Sequence, residues 1–148
     1  MRIRTLLLAV LLLGGCAHDT PAPGAVAPAR STATLIDTYW KLTQLWDEQV
    51  ASPAGTREVH LILQSQNQRV TGFSGCNRMT GQYAMNGSQI KFDQMAGTLM
   101  ACVESMDLEK KFLAIFPEVA RWEIAAQTLR LLDAQGKTLA TFDAVYPK

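Results

Sequence analysis

Short stretches that alternate apolar with other residues recur along most of the chain, and residues that favour tight turns separate them. In one such stretch, Val59, Leu61 and Leu63 fall on one face of an extended chain, and the residues between them fall on the other. This period of two is typical of β-strands that bury one face. The dipeptide Asn86-Gly87, which lies between two further stretches, is favoured in two-residue hairpin turns, and Gln135-Gly136 is predicted to form another turn near the C-terminus. The pattern therefore predicts an antiparallel sheet built from hairpins.

One segment, residues 105–117, departs from this alternation and carries its apolar residues at helical spacing. Ser105 is expected to be the N-cap, and Pro117 is expected to mark the end, because a proline deeper in the helix would remove a hydrogen bond. Strands around a single helix predict an α+β domain, in which a curled antiparallel β-sheet, open and barrel-like, packs against one main helix. The predicted apolar face of the helix consists of Leu108, Phe112, Ile115 and Phe116.

The N-terminus has the features of a secretory signal. Arg2 and Arg4 precede the apolar run 6–13, and two glycines then lead to Cys16. The run is shorter than the roughly 20 apolar residues that span a bilayer, so we interpret residues 1–15 as a signal peptide. The sequence Leu-Gly-Gly-Cys resembles the bacterial lipobox. That resemblance implies cleavage before Cys16 and attachment of lipid to its sulfur and its new amino group.

The residues that follow the lipobox predict a tether and a location. Residues 16–34 are rich in alanine, proline, glycine and threonine, and such a segment buries too little apolar surface to offset the entropy of ordering. We therefore predict a flexible tether, followed by the folded domain at 35–148. Ala17 stands where an aspartate would favour retention in the inner membrane. By resemblance to the bacterial sorting rule, this implies the outer membrane, with the domain facing the periplasm.

The charge balance excludes one large class of partners. The chain carries 14 basic and 13 acidic side chains, so it lacks the positive excess of nucleic-acid-binding proteins. No glycine-rich phosphate loop, nucleophile elbow or paired carboxylate motif stands out. The sequence therefore predicts neither a nucleic-acid partner nor a cofactor.

Cys76 and Cys102 remain once Cys16 carries lipid. An even pair in an oxidising compartment indicates a disulfide, and two unpaired buried thiols are the alternative. A zinc site needs three or four ligands. Outside the tether His60 is the only histidine. It is expected on the solvent-facing side of its strand, and nothing in the sequence places it near Cys76. We therefore predict neither a metal site nor a catalytic thiol.

Glycines and methionines cluster around the two cysteines. Gly72, Gly75 and Gly81 are expected to supply bends and positive φ angles, and Asn77 is expected to be a turn residue that bonds to the local backbone. Methionine fills irregular cores, which is the predicted role here; it also lines adaptable apolar surfaces, and an acyl chain or peptide site is the alternative. The methionines concerned are Met79, Met85, Met95, Met100 and Met106.

Two motifs and one helical segment together carry a family resemblance. The first motif falls on Gly75, Cys76, Asn77 and Gly81, with Gly72 or Ser74 upstream; the second falls on Thr98, Met100 and Cys102; the helix match falls on Glu109, Phe112 and Leu113. Together they resemble the META domain of HslJ-like bacterial lipoproteins. The second motif of that family contains an arginine, and Leu99 occupies its position here. This departure argues against a charged active centre at that position.

The resemblance implies a small fold of mixed sheet and helix, no established catalytic activity, and a loose association with envelope stress, heat-inducible expression and drug tolerance. We therefore predict a non-enzymatic outer-membrane lipoprotein, anchored through lipid, that binds a partner in the cell envelope. A carrier of lipid or of small apolar ligands is one alternative. An enzyme with a centre at Cys76 or His60 is the other.

Overall fold

The computed structural model describes residues 31–52 and 55–146. The predicted signal peptide, the lipidated Cys16 and residues 17–30 of the predicted tether lie outside these residues. Within the described ranges, no helix is long and apolar enough to cross a membrane. The elements are β1 (Tyr39–Leu45), β2 (Glu48–Gln49), β3 (His60–Leu63), a 3-10 turn (Gln66–Gln68), β4 (Arg69–Phe73), β5 (Arg78–Asn86), β6 (Gln89–Gly97), α1 (Met106–Ile115), β7 (Arg121–Ala125), β8 (Thr128–Leu132) and β9 (Thr138–Val145).

The strands form one antiparallel sheet in the order β2-β1-β3-β4-β5-β6-β7-β8-β9, and β1 also pairs with β9. Trp40 thus lies opposite Leu61 of β3 on one side and opposite Ala144 of β9 on the other. The β1–β9 pairing, which the sequence does not predict, curls the sheet back on itself. The prediction of a mostly antiparallel sheet with a single helix is confirmed.

Two glycines in left-handed conformations close predicted hairpins. Gly87, between β5 and β6, has φ +59°, and Gly136, between β8 and β9, has φ +85°. Side chains other than glycine rarely adopt this region, which explains why these two positions mark the turns in the sequence.

The helix packs against the inner face of the curled sheet. Phe112, in the middle of α1, has its ring centroid 5.2 Å from that of Phe116 and 6.2 Å from that of Phe142 on β9. Three predicted face residues, Phe112, Ile115 and Phe116, are buried, whereas Leu108 is only partly buried. The helix ends before Pro117, as predicted, and Ser105 occupies the N-cap position without a side-chain capping bond.

The packed region extends upstream of β1. Ala33 is buried, and its amide donates to the carbonyl of Ala126 at 2.8 Å. Leu35 is also buried, and its carbonyl accepts a hydrogen bond of 2.9 Å from the indole of Trp40. These contacts fix the start of the described chain against the β7–β8 turn and the core.

His60 is buried, so its predicted exposure to solvent is wrong. It pairs with Lys41 of β1 and Phe73 of β4, and therefore does point to the outer face of the sheet, as the alternation predicts. Its ring stacks on Tyr39 at 4.2 Å, and its Nδ1 donates to the carbonyl of Glu58 at 2.9 Å. Burial lowers the pKa of His60, and this effect outweighs the hydrogen bond to Glu58, which raises the pKa. The lowered pKa keeps the ring neutral at neutral pH.

The role predicted for two of the glycines is also wrong. Gly75 has φ +118°, as expected of a bend. Gly72 and Gly81, however, lie within strands and lack positive φ angles. A Cβ on Gly72 would collide with the carbonyl oxygen of His60, so this glycine permits close approach of β3 and β4. A Cβ on Gly81 would meet Sδ of Met95, which belongs to a flexible side chain.

Candidate functional site

The first turn of α1 directs a carboxylate into the interior. Glu109 is only 8% exposed. Its Oε2 accepts hydrogen bonds from Ser74 Oγ at 2.6 Å and from the amides of Asn77 at 2.8 Å and Cys76 at 3.3 Å. Its Oε1 accepts one from Asn77 Nδ2 at 2.8 Å. Among the described side chains no cation pairs with Glu109, so hydrogen bonds alone balance its charge.

The turn between β4 and β5 supplies these donors because of its local geometry. The amide of Ser74 donates to the carbonyl of Asn77 at 2.9 Å, which closes a tight turn, and the single hydroxyl proton of Ser74 is donated to Glu109. The left-handed Gly75 inside this turn leaves the next two amides directed at the carboxylate. Successive amides in such a turn form a concavity that binds anions, and here the anion is a side chain of the same protein.

The pKa of Glu109 lies below its ordinary value of 4.5. Burial by itself raises this pKa, but the hydrogen bonds from Ser74, Asn77 and the amide of Cys76 together outweigh it. The position in the first helical turn also favours a negative charge. The carboxylate is therefore ionised at neutral pH.

The side chain of Asn77 binds distant residues, so the prediction that it bonds to local backbone is wrong for the amide group. Its Oδ1 accepts from Thr98 Oγ1 at 2.6 Å and from the Met100 amide at 2.7 Å. Its Nδ2 donates to Glu109 and to the Met100 carbonyl at 3.2 Å. Only its main-chain carbonyl holds the local turn, by accepting the hydrogen bond from the Ser74 amide. The amide group thus connects three separate segments of the chain.

Cys76 and Cys102 form a disulfide with an S–S distance of 2.03 Å, which confirms the predicted pairing. The bridge joins the turn before β5 to the loop before α1. We call the residues that meet here the motif cluster. It comprises Ser74, Gly75, Cys76, Asn77, Thr98, Met100, Cys102 and Glu109. Gly81 lies apart from it, in β5 against Met95.

The sequence did not reveal how Ser74 and Glu109 act. Both residues fall on or beside the family motifs, but the motifs do not indicate that the hydroxyl of Ser74 binds the carboxylate of Glu109. The one available signal was an acidic residue close to the apolar face of the helix.

Cys76 and His60, the two candidates for an alternative catalytic centre, are each bound to other groups. The sulfur of Cys76 is in a disulfide, and the ring of His60 contacts Tyr39 and Glu58. Within the described ranges, no group of three or more histidine, cysteine or acidic side chains is arranged to hold a metal ion.

The loop at residues 98–105 exposes apolar side chains. Leu99, which replaces the family's arginine, and Val103 are fully exposed, and Met100 is 62% exposed. The same loop is fixed at Thr98 and Met100 by Asn77, and at Cys102 by the disulfide. It therefore holds apolar groups in water on a constrained backbone.

The methionines fill the core less than predicted. Met79 is buried and Met95 packs partly buried against the core. Met85, Met100 and Met106 are exposed. The expectation that all five fill the core is therefore wrong for three of them, because they lie on outward positions or in the loop.

Two grooves flank these elements. The first, of about 610 Å³, is lined by Phe73, Val103 and Leu108, and by the disulfide at Cys102. The guanidinium of Arg57, also in its lining, lies 4.7 Å from the centre of the Phe73 ring. The second, which we call the β6 groove, has a volume of about 510 Å³. Its apolar lining consists of Phe92, Met95, Leu113, Phe116 and Pro117.

Comparisons with known proteins agree with this architecture. The family model of the META domain matches residues 33–146. An NMR structure of a protein from Burkholderia xenovorans is similar over 86% of this chain and 98% of that chain, with a TM-score of 0.62 and 28% sequence identity. A second NMR structure, 20% identical, matches 75% of this chain and 94% of its own with a TM-score of 0.58, which concerns the fold alone. Among curated proteins, none matches the chain.

Proposed function

The chain belongs to the META domain family, and we propose that it is a non-enzymatic lipoprotein of the bacterial outer membrane whose periplasm-facing domain binds a partner in the cell envelope. The 98–105 loop carries this proposal. It holds Leu99 and Val103 fully exposed on a backbone that Asn77 and the disulfide constrain. Large apolar side chains that are exposed together on one loop, here Leu99, Met100 and Val103, favour an interaction surface, and a constrained backbone lowers the entropy lost on binding.

The chemistry of the motif cluster supports binding rather than catalysis. A nucleophilic cysteine needs a thiolate, and Cys76 is in a disulfide. A general base needs to reach the substrate and to have a pKa near the working pH, whereas the carboxylate of Glu109 is buried and its pKa is lowered. We therefore assign the cluster the task of holding the loop in place.

The lipid anchor can be tested by metabolic labelling. We expect the protein to incorporate labelled palmitate in bacterial cells and to fractionate with the outer membrane. The Cys16→Ala variant should lose the label, because its side chain offers no sulfur to acylate. As a matched control, Ala17→Asp should keep the label and move to the inner membrane. Label retained by Cys16→Ala would refute lipidation at this residue.

The binding surface can be tested in a deletion strain challenged with heat and with hydrophobic drugs. We expect the wild-type gene to restore tolerance and the Leu99→Ser/Val103→Ser variant to fail at equal protein level. Both side chains are fully exposed, so their loss should leave the fold intact. The Met85→Ser/Val145→Ser variant, which removes two exposed apolar groups outside the loop, is the matched control and should restore tolerance. Normal tolerance of the deletion strain would refute the stress role, and full rescue by the loop variant would refute this surface.

A carrier of lipid or small apolar ligands is the second candidate. The β6 groove favours it, because Met95 and two aromatic rings line an apolar space of about 510 Å³. An acyl chain would fit such a lining through apolar contact alone.

A further inference from the structure

Part of β6 has an open edge. The strand pairs with β5 as far as Gly97, but its register with β7 contains only Gln89 opposite Arg121. The last backbone contact between the two strands is made by hydrogen bonds beside this pair, such as the one from the Ile90 amide to the carbonyl of Ala120. Over residues 92–97, no strand of the described chain pairs with the other side of β6. Ala96 and Gly97 are accordingly exposed.

The alternation of an antiparallel ladder shows which backbone groups face this edge. The amide of Thr98 donates to the carbonyl of Arg78, on the β5 side. Because successive residues of an antiparallel ladder point their amides to opposite sides, the amide of Gly97 points away from β5. A β-bulge at Gln94 and Met95, opposite Gly81, interrupts the alternation beyond Ala96. The open edge therefore offers the backbone amide and carbonyl of Gly97 without a strand partner.

The β6 groove lies beside this edge. Phe92 and Met95 of β6 form one side, and Leu113 of α1 and Phe116, directly after α1, form the other. The rings of Phe92 and Phe116 meet edge to face with centroids 5.0 Å apart. An apolar pocket beside an unpaired strand edge is the arrangement that binds extended peptides, since the edge pairs with the peptide backbone and the pocket takes alternate side chains.

One acidic side chain at this edge has no oppositely charged partner among the described residues. Asp93 is exposed, and its carboxylate forms no ion pair with the described side chains, although its Oδ1 accepts the amide of the adjacent Gln94. A basic side chain on the occupant would complement it.

We propose that an extended segment of another envelope protein adds to the open edge of β6 as a strand. It places apolar side chains in the β6 groove and a basic side chain near Asp93. The segment pairs with the backbone of Gly97, and the exposed Leu99 lies two residues further along the chain. This inference rests on the proposed function and gives its partner a chemical class. An acyl chain matches the groove but cannot hydrogen-bond to the unpaired backbone groups of the β6 edge. A peptide strand can, and it is therefore favoured.

The test uses the full lipoprotein in phospholipid nanodiscs and a panel of labelled seven-residue peptides. Each peptide alternates threonine with one of valine, isoleucine, leucine or phenylalanine and contains one lysine. We expect saturable binding, read as fluorescence anisotropy, of at least one peptide. The same peptide with methylated backbone nitrogens on its edge-facing side should not bind, because methylation removes strand pairing and leaves the apolar side chains unchanged.

Variants of the protein test the same edge. Gly97→Pro removes an outward amide and should weaken binding by about tenfold or more, whereas Gly97→Ala keeps the amide and meets no atom closer than 3.4 Å, so it should bind normally. Asp93→Asn should weaken binding by about twofold to fivefold, and this loss should vanish when norleucine replaces the peptide lysine. If Gly97→Pro fails to fold, the methylated peptide on the wild-type protein decides the question alone.

Several outcomes would overturn the proposal. These are no binding by any peptide, equal binding of the methylated peptide, binding of oleate in place of every peptide, and self-association of the protein through this edge that excludes peptide. The Leu99→Ser/Val103→Ser complementation does not depend on the peptide panel. A negative panel with failed complementation by that variant would remove the strand proposal and leave the proposed function standing, whereas full rescue would refute the function itself.

Discussion

Replacing Glu109 with alanine is expected to lower the free energy of unfolding by about 3–5 kcal/mol. The change removes the acceptor of the Ser74 hydroxyl and of the amides of Cys76 and Asn77, and these donors stay buried. Each buried donor left without a partner costs about 1–3 kcal/mol. Urea denaturation followed by circular dichroism measures the loss. The exposed Glu118, altered in the same way, should change stability by no more than about 0.5 kcal/mol.

The pH dependence of the free energy of unfolding tests whether the negative charge of Glu109 is the cause of this contribution to stability. Since the folded pKa of Glu109 is depressed, its contribution is present above the unfolded value of 4.5 and is lost as the pH falls through the lower folded pKa. The difference in stability between wild type and Glu109→Gln should therefore shrink below pH 4.5. Asp37, whose pKa is lowered mainly by a hydrogen bond from the Ser65 amide, contributes to both proteins and cancels in the comparison. A difference that stays constant with pH would refute this account.

Removing the disulfide with the Cys76→Ala/Cys102→Ala variant is expected to cost about 3 kcal/mol. The bridge closes a loop with a sequence separation of 26 residues, and the open chain regains that conformational freedom when it unfolds. The measurement is again the free energy of unfolding in urea, with folding of the variant confirmed by near-ultraviolet circular dichroism.

Reduction provides the control for this prediction. Dithiothreitol should shift the unfolding midpoint of the wild type towards that of the alanine variant, and it should leave the variant unchanged. A variant that unfolds at the same urea concentration as the oxidised wild type would show that the bridge contributes nothing to stability.

The strands and the helix could be predicted because their signals are local. Gly87 and Gly136 sit in turns that need a left-handed residue, and the helix stops before Pro117 because proline cannot continue it. The disulfide was predicted from the count of cysteines and their compartment. None of these inferences requires knowledge of which distant segments touch.

The errors concern residues whose surroundings come from distant segments. His60 does lie on the outer face, but Tyr39 covers it, so facing outward did not mean exposed. Gly72 looks like a bend in the sequence, whereas the approach of the His60 carbonyl is what excludes a side chain there. Met100 and Met106 look like core residues by type, and their position in or beside the 98–105 loop leaves them exposed.

The sequence by itself determined the antiparallel hairpins, the single helix, the cysteine pair and the family motifs, because periodicity, turn residues and residue counts act over short distances along the chain. Only the tertiary structure decided that Asn77 reaches Thr98 and Met100, that Glu109 is an ionised carboxylate held by a turn 32 residues away, and that β6 keeps an open edge. The physical reason is that the partner of a polar group, or of a strand edge, is fixed by how the sheet curls and where the helix packs, and one-dimensional patterns do not carry that information.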